Sequence, residues 1–484
     1  MNEIIPLMVI VPIACALLMN LFSGKNSLIK YLAITVAFII PLIPLISNFG
    51  LHYFGGHAPL VNSLTGLLYH PAITYSFNSL SQLFIFLMGA LTFFVVLIYL
   101  NMYKKFSGPY LFLIFMGVAA VTALMLSDDI FHIYVFYEIA VIAQVGIVIA
   151  STNEQRYETA LKYMILSSIA GPLLLLGIGF LLAIFGSVNI TDIAYSINHG
   201  LVDISAPIFL AAFGLIFCGW LYLSGNPPFH TIKSSMYSSA EPQGTALLQA
   251  FSVMIVVAFV IVMIRIFSGI EMFQYLLIGF SILQMMLGIS MALVQTDFRR
   301  MLGYLAVGEL GFVGLGLGLG TELSMAAGLF QAANEMVVTA LLFIGFGAII
   351  AITKTTNLNK IGGLIAYYPK TAIMILIGGF ALAGVPPLNG FQSKLMLIKS
   401  FLDAGFPELA IITILISIGT FMVFVKIFYN VFLKPKPNSL EITNEKVPKS
   451  TIFTIAMLTL FCIVVGLVPS LLTGTFHSFV GGLL

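Results

Sequence analysis

Apolar runs separated by short polar stretches fill the chain from end to end. A run of about 20 apolar residues is long enough to cross a bilayer as a helix. Runs of that kind lie near 4–22, 28–48, 80–102, 109–127, 129–150, 160–185, 206–240, 244–268, 273–296, 300–320, 323–353, 371–403, 407–433 and 451–472. They predict an all-α, polytopic membrane protein with about fourteen transmembrane helices. Two of the runs are interrupted by related motifs, Gly225-Asn226-Pro227-Pro228-Phe229-His230 and Gly384-Val385-Pro386-Pro387-Leu388-Asn389. A lysine follows each, Lys233 and Lys394. Gly225, Pro227 and Pro228 are expected to break the first helix, and Gly384, Pro386 and Pro387 the second. A break frees backbone groups that lipid cannot satisfy, so it persists where it is buried in protein or lines a polar cavity. Matching breaks in two halves of a membrane protein point to an ion or substrate path. The other reading of each is a packing kink.

Composition agrees with this picture. The chain is 60% hydrophobic and 8% charged, against roughly 25% charged residues in a soluble domain. Cys15, Cys218 and Cys462 are isolated, and neither their spacing nor any Cys/His pairing suggests a disulfide, a zinc site or an iron–sulfur cluster. No metal site or cofactor is expected. The first segment lacks a basic n-region and reads as a span, not as a cleaved signal. The positive charges then set orientation. Lys25, Lys30, Lys104, Lys105, Arg156, Lys162, Arg299, Arg300, Lys354, Lys360, Lys370, Lys434, Lys436, Lys446 and Lys449 fall in alternate loops, while 49–79, 186–205 and 320–322 hold no Lys or Arg. The basic loops should face the cytoplasm, which leaves both termini outside. His52, His57 and His70 in the 49–79 loop read as solvated residues, with metal binding as the other reading.

Ionisable residues at membrane depth are costly and are functional candidates by default. Glu138 lies nine residues past Asp129, about 13 Å into its helix at 1.5 Å per residue. Glu309 lies nine residues past Arg300, and Glu335 near the middle of 323–353. Together with Lys394 they form a candidate row of proton-exchanging groups. The competing reading locks each in a fixed ion pair. His230, at the first break, is placed either for relay or for bonding freed backbone, and His132 either joins the path near the outer surface or stands apart. Lys399, Arg265 and Lys426 read as anchors that extend along the apolar surface to water.

These residues carry a resemblance. Phe136-Tyr137-Glu138, Glu158-Thr159-Ala160-Leu161-Lys162-Tyr163 and Pro227-Pro228-Phe229-His230 occur in that order. Asp297-Phe298-Arg299-Arg300-Met301-Leu302-Gly303-Tyr304, Leu310-Gly311-Phe312, Ala340-Leu341-Leu342-Phe343 and Leu382-Ala383-Gly384-Val385-Pro386-Pro387-Leu388-Asn389-Gly390-Phe391 follow. Across nearly its whole length the chain resembles the antiporter-like, proton-translocating membrane subunits of respiratory complex I, Mrp-type Na⁺/H⁺ antiporters and energy-converting membrane hydrogenases. The resemblance implies two inverted five-helix repeats, each with a broken helix. It implies residues 1–108 as three N-terminal helices with an outer loop, 109–268 as the first repeat with its break near 225–230, and 269–433 as the second with its break near 384–390. Residues 434–484 are then a cytoplasmic loop and the C-terminal helix.

The resemblance also implies a mid-membrane chain of titratable residues, with Glu138 and Lys394 at family positions and Glu309, Glu335, His230 and Lys233 between. It further implies a subunit without a redox centre of its own. Such a subunit works beside other membrane subunits and a peripheral hydrogenase-like or dehydrogenase arm, in the plasma membrane, with H⁺ and Na⁺ as the ions. The chain departs from the family pattern where lysines are usual, at Leu223 and around Met254 to Val257. Glu309, Gln331 and Glu335 stand where histidines are usual, and Thr339 where some members carry lysine. Glu138 therefore lacks a family-type partner unless Lys233 or His230 reaches it. The reading is an ion-translocating subunit of a membrane oxidoreductase complex of hydrogenase type. The alternatives are a non-conducting scaffold in such a complex and a subunit of an Mrp-type antiporter.

Overall fold

The computed structural model describes residues 4–22, 26–46, 60–64, 73–102, 107–438, 440 and 446–483. Lys25, His52, His57, His70, Lys104 and Lys105 lie outside the described residues. The helices are α1 (Ile4–Leu21), α2 (Asn26–Ile39), α3 (Ser79–Met102), α4 (Gly108–Leu126), α5 (Ile130–Ile149), α6 (Arg156–Phe185), α7 (Ile190–Asn198), α8 (Pro207–Ser224) and α9 (His230–Ser239). They continue with α10 (Pro242–Phe267), α11 (Glu271–Val294), α12 (Phe298–Leu319), α13 (Glu322–Thr353), α14 (Pro369–Ala383), α15 (Asn389–Asp403), α16 (Pro407–Phe428), α17 (Lys449–Leu467) and α18 (Ser470–Gly481). A two-stranded antiparallel sheet, β1 (Leu60–Leu64) with β2 (Ile73–Phe77), precedes α3.

Among the described residues, twelve helices are long and apolar enough to cross a membrane, and α1 and α14 are shorter apolar helices. Every predicted segment is present. The short helix α7 falls in a stretch read as a loop, and the last segment is cut at Val468-Pro469, where α17 gives way to α18. Polar side chains set several helix starts. Asp129 accepts from the His132 amide at α5, Asp297 from the Arg299 and Arg300 amides at α12, and Thr321 forms a capping box with Ser324 at α13. Each satisfies donors that a helix start leaves open.

Three helices are sheathed by the others. Their apolar windows are 89% buried in α10, 89% in α12 and 83% in α13, against 33% in α6 and 39% in α11. A helix apolar all round belongs in the interior. Polar residues on α10, α12 and α13 therefore face protein, not lipid.

The two breaks have the same geometry. Gly225 and Gly384 sit at φ 70° and 78°, a conformation open to glycine at little cost. Gly225 N–H bonds Tyr222 O and Asn226 N–H bonds Leu221 O, while Gly384 N–H bonds Ala381 O and Val385 N–H bonds Phe380 O. That pair of bonds is the Schellman end of a helix. Both Pro227-Pro228 and Pro386-Pro387 are cis. The starts of α5 and α12 are also matched. Ile130 N–H bonds Val188 O and Ile190 N–H bonds Asp128 O, just as Phe298 N–H bonds Thr356 O and Leu358 N–H bonds Thr296 O.

At the second break the arms α14 and α15 touch through backbone. A Cβ on Gly390 would collide with Ala381 O. A carbonyl in a helix cannot yield as a side-chain tip can, so Gly390→Ala should lower stability by about 1–3 kcal/mol. A lower melting temperature of the purified protein tests this, and an unchanged one would mean the arms separate freely.

Candidate ion-translocation site

The proline of the second break leaves a carbonyl open. Leu382 O would bond the amide four residues on, and that residue is Pro386, which has no N–H. Lys394 from α15 fills the position, with Nζ donating to Leu382 O at 2.8 Å. Its positive charge meets the negative end of α14. A Cβ on Gly384 would stand 3.0 Å from Lys394 Cδ, so the glycine that ends α14 also makes room for the lysine stem.

Lys394 Nζ stands 3.1 Å from each carboxylate oxygen of Glu309 on α12. Both side chains are buried. Thr420 of α16 donates to Glu309 Oε1 at 2.9 Å, and Gln331 of α13 donates to Oε2 at 3.0 Å. The ammonium also lies 4.5 Å from the Phe312 ring centre. Ser393 ties the cluster to the break by donating to Gln331 Oε1 at 2.6 Å. Asn334 and Asn389 bond each other at 2.9 Å. A buried ion pair survives when its other donors and acceptors are met, and here they are.

Glu335 lies one turn beyond Gln331 on α13 and is 1% exposed. Its Oε1 accepts from Gln249 Nε2 of α10 at 3.1 Å. Its Oε2 and Gln249 Oε1 have no hydrogen-bond partner among the described residues. Ser252, one turn from Gln249, accepts from Lys233 Nζ at 2.8 Å. Lys233 is 2% exposed, and no carboxylate among the described residues forms a salt bridge with it. A Cβ on Gly225 would stand 2.8 Å from Lys233 Cγ, repeating the relation of Gly384 to Lys394. The row therefore runs from Lys233 through Ser252 and Gln249 to Glu335, Gln331, Glu309 and Lys394.

Glu138 stands apart on α5 and is half-buried. Its carboxylate lies against Gly171, where a Cβ would collide with Oε1. Among the described residues Glu138 forms no salt bridge. Neither Lys233 nor His230 bonds it: Lys233 is held by Ser252, and both His230 ring nitrogens lack a hydrogen-bond partner among the described residues. Glu138 therefore stays without a family-type partner among the described residues. His132 is bonded to Ser127 Oγ at 3.0 Å and to Tyr75 Oη at 3.3 Å. Arg265 pairs with Asp128 at 2.6 Å and bonds Thr191 at 2.9 Å. Lys426 donates to the carbonyls of Leu293 and Gln295 at the end of α11. These two read as anchors in the sequence and are cross-links in the fold. Lys399 is exposed.

Reading only charges missed Gln249, Ser252, Ser393 and Thr420. Their signal was present: amides and hydroxyls in otherwise apolar spans, with Gln249 and Ser252 three apart on one helix face.

Comparison with known proteins gives these residues a setting. Residues 127–422 match the family model described as NADH:quinone oxidoreductase/Mrp antiporter, transmembrane. The chain belongs to this family. It is 37% identical over 474 residues to the uncharacterized protein MJ1309 of Methanocaldococcus jannaschii, covering 97% of this chain and 96% of that one. It is 29% identical to a Na(+)/H(+) antiporter subunit of Alkalihalophilus pseudofirmus over 72% of this chain and 69% of that one. Its fold matches a chain of the Mrp complex from Dietzia sp. DQ12-45-1b, with TM-score 0.90, 20% identity and coverage of 100% and 97%. It also matches a chain of the membrane-bound sulfane sulfur reductase, an archaeal respiratory membrane complex, with TM-score 0.90, 22% identity and coverage of 99% and 98%. The protein is a multi-pass, antiporter-like membrane subunit of Mrp or complex I type.

Proposed function

We propose that this subunit moves H⁺, with Na⁺ in exchange or as the alternative ion, inside an energy-converting oxidoreductase complex of hydrogenase type. It works beside other membrane subunits and a peripheral redox arm, in the plasma membrane, with both termini outside. The observation that carries the reading is the buried row that ends in the Lys394–Glu309 pair at the second break. Ionised groups at this depth are costly without a task. The matched caps at Gly225 and Gly384, and the matched starts of α5 and α12, support two repeats spanning 109–268 and 269–433. An archaeal respiratory membrane complex and an Mrp complex both hold chains of this fold, and the oxidoreductase setting is the one we adopt.

The pair suggests how charge would move. A proton arriving on Glu309 removes the carboxylate charge that holds Lys394. The lysine keeps its bond to Leu382 O and becomes free to give its proton onward. Transfer of the Glu309 proton to the neutral Lys394 amine restores the pair, so one proton enters at Glu309 for each that leaves Lys394. Redox chemistry in partner subunits would bias this equilibrium by changing charge nearby.

Glu138→Gln tests the reading in proteoliposomes holding the purified parent complex. Glu138 makes no salt bridge among the described residues, so the amide should leave assembly and melting temperature unchanged while ion flux falls to that of protein-free liposomes. Full flux with normal assembly would instead make the subunit a scaffold, with pumping carried by its neighbours.

A further inference from the structure

Four phenols lie buried on α5, which carries Glu138, on α6, and on α8 and α9, which flank the first break. Tyr137 of α5, Tyr163 of α6, Tyr222 of α8 and Tyr237 of α9 are each at most 2% exposed. Tyr222 Oη donates to Tyr163 O at 2.7 Å, with ring centres 5.6 Å apart. The Tyr222 ring stands edge-on to Phe229 of the first break at 5.4 Å. The Glu138 carboxylate is within electrostatic reach of the Tyr137, Tyr163 and Tyr222 hydroxyls. Tyr237 lies within the same reach of Tyr163 and of Glu335. Its hydroxyl stands beside Ser252, which holds Lys233, without meeting hydrogen-bond geometry.

Two of these hydroxyls make no sense as packing. Tyr137 Oη and Tyr237 Oη are buried with no hydrogen-bond partner among the described residues. The rings alone pack well, with Tyr137 edge-on to Phe259 at 5.9 Å and Tyr237 tilted on Phe343 at 6.3 Å. Phenylalanine would keep those contacts without the cost of burying an unmet hydroxyl. Buried polar groups in native proteins are met by protein or by ordered water. Water beside both hydroxyls would join them to Glu138 at one end and to Ser252, Lys233 and Glu335 at the other.

We propose that Tyr137, Tyr163, Tyr222 and Tyr237, with water between them, carry protons from Glu138 to Lys233 and Glu335 at the first break. This rests on the transport reading above and deepens it by naming the ion for this stretch. Each hydroxyl takes a proton on a lone pair and passes its own proton to the next acceptor. The phenol ends neutral, and one proton leaves Glu138 for each that reaches Lys233 or Glu335. Hard cations such as Ca²⁺ and Mg²⁺ gather about six or more oxygen ligands at once, whereas a single file of phenols offers Na⁺ one oxygen at a time. The stretch therefore passes H⁺ and rejects Na⁺.

The test is H⁺ flux through the purified complex in proteoliposomes, carrying Tyr137→Phe, Tyr237→Phe or both, beside Glu138→Gln. The expected result is H⁺ flux lowered by about 10²-fold, with assembly intact and melting temperature unchanged or raised. A rise has a physical basis, because the variant removes an unmet hydroxyl and keeps the ring. Wild-type H⁺ flux in the double variant, with Glu138→Gln inactive, overturns the phenol relay and leaves the transport reading standing. Wild-type flux in both variants overturns the two together. A fall in flux matched by a fall in melting temperature would make the phenols structural and also overturns the relay. If the double variant fails to assemble, the single variants give the same readout.

Discussion

Lys394→Met should destabilise the protein by about 3–5 kcal/mol and abolish ion flux. The large figure comes from what the substitution leaves behind. Glu309 is 1% exposed and would keep a buried carboxylate with no countercharge. Leu382 O would lose the donor that replaces the amide missing at Pro386. Thr420 and Gln331 would still donate to Glu309, but neutral donors do not offset a full charge at this depth. A double variant separates the two losses. Adding Glu309→Gln removes the unpaired charge, so most of the lost stability should return. Flux should not return, because neither group can then exchange a proton. Thermal melting of the single and double variants measures the first effect, and proteoliposome flux the second. If the double variant melts as low as Lys394→Met, the pair contributes little and the damage lies in the break itself.

How far the sequence carried this reading depends on the physics behind each feature. The spans were legible because a bilayer imposes length and apolarity on every crossing helix, and all fourteen runs appear. The breaks were legible because Gly-x-Pro-Pro removes both the αR preference and the amides a helix needs. Lys394 was legible as a buried charge, and its partner was not. Glu309 lies 85 residues away in the chain, and only the packing of α12 and α15 on α13 brings them together. Arg265 and Lys426 were misread for the same reason. A basic residue near a helix end looks like an anchor until Asp128 or the Leu293 carbonyl is found beside it. The amides and hydroxyls that join the charges were overlooked because a single Gln249 or Ser252 carries no signal in a composition dominated by apolar residues. Their importance comes from burial on α10, a helix that the chain encloses on all sides.

Lys233→Met should abolish flux as fully as Lys394→Met while leaving stability unchanged or improved. The two lysines hold matching positions, each with its stem across the glycine that ends the preceding arm. Their partners differ. Lys233 Nζ bonds the Ser252 hydroxyl and no carboxylate among the described residues. Methionine fills a similar volume and removes a buried ammonium that costs energy to hold without a countercharge. Ser252 is not stranded, because its hydroxyl also donates to Leu248 O at 3.0 Å. The substitution therefore leaves no buried charge and no orphaned group. Melting and flux, measured on the same preparations, should move together for Lys394→Met and apart for Lys233→Met. A lysine kept at a cost to the fold, where methionine would serve packing as well, is explained by the proton it carries. Normal flux in Lys233→Met would remove the first break from the path and leave Glu138 to reach Glu335 by another route.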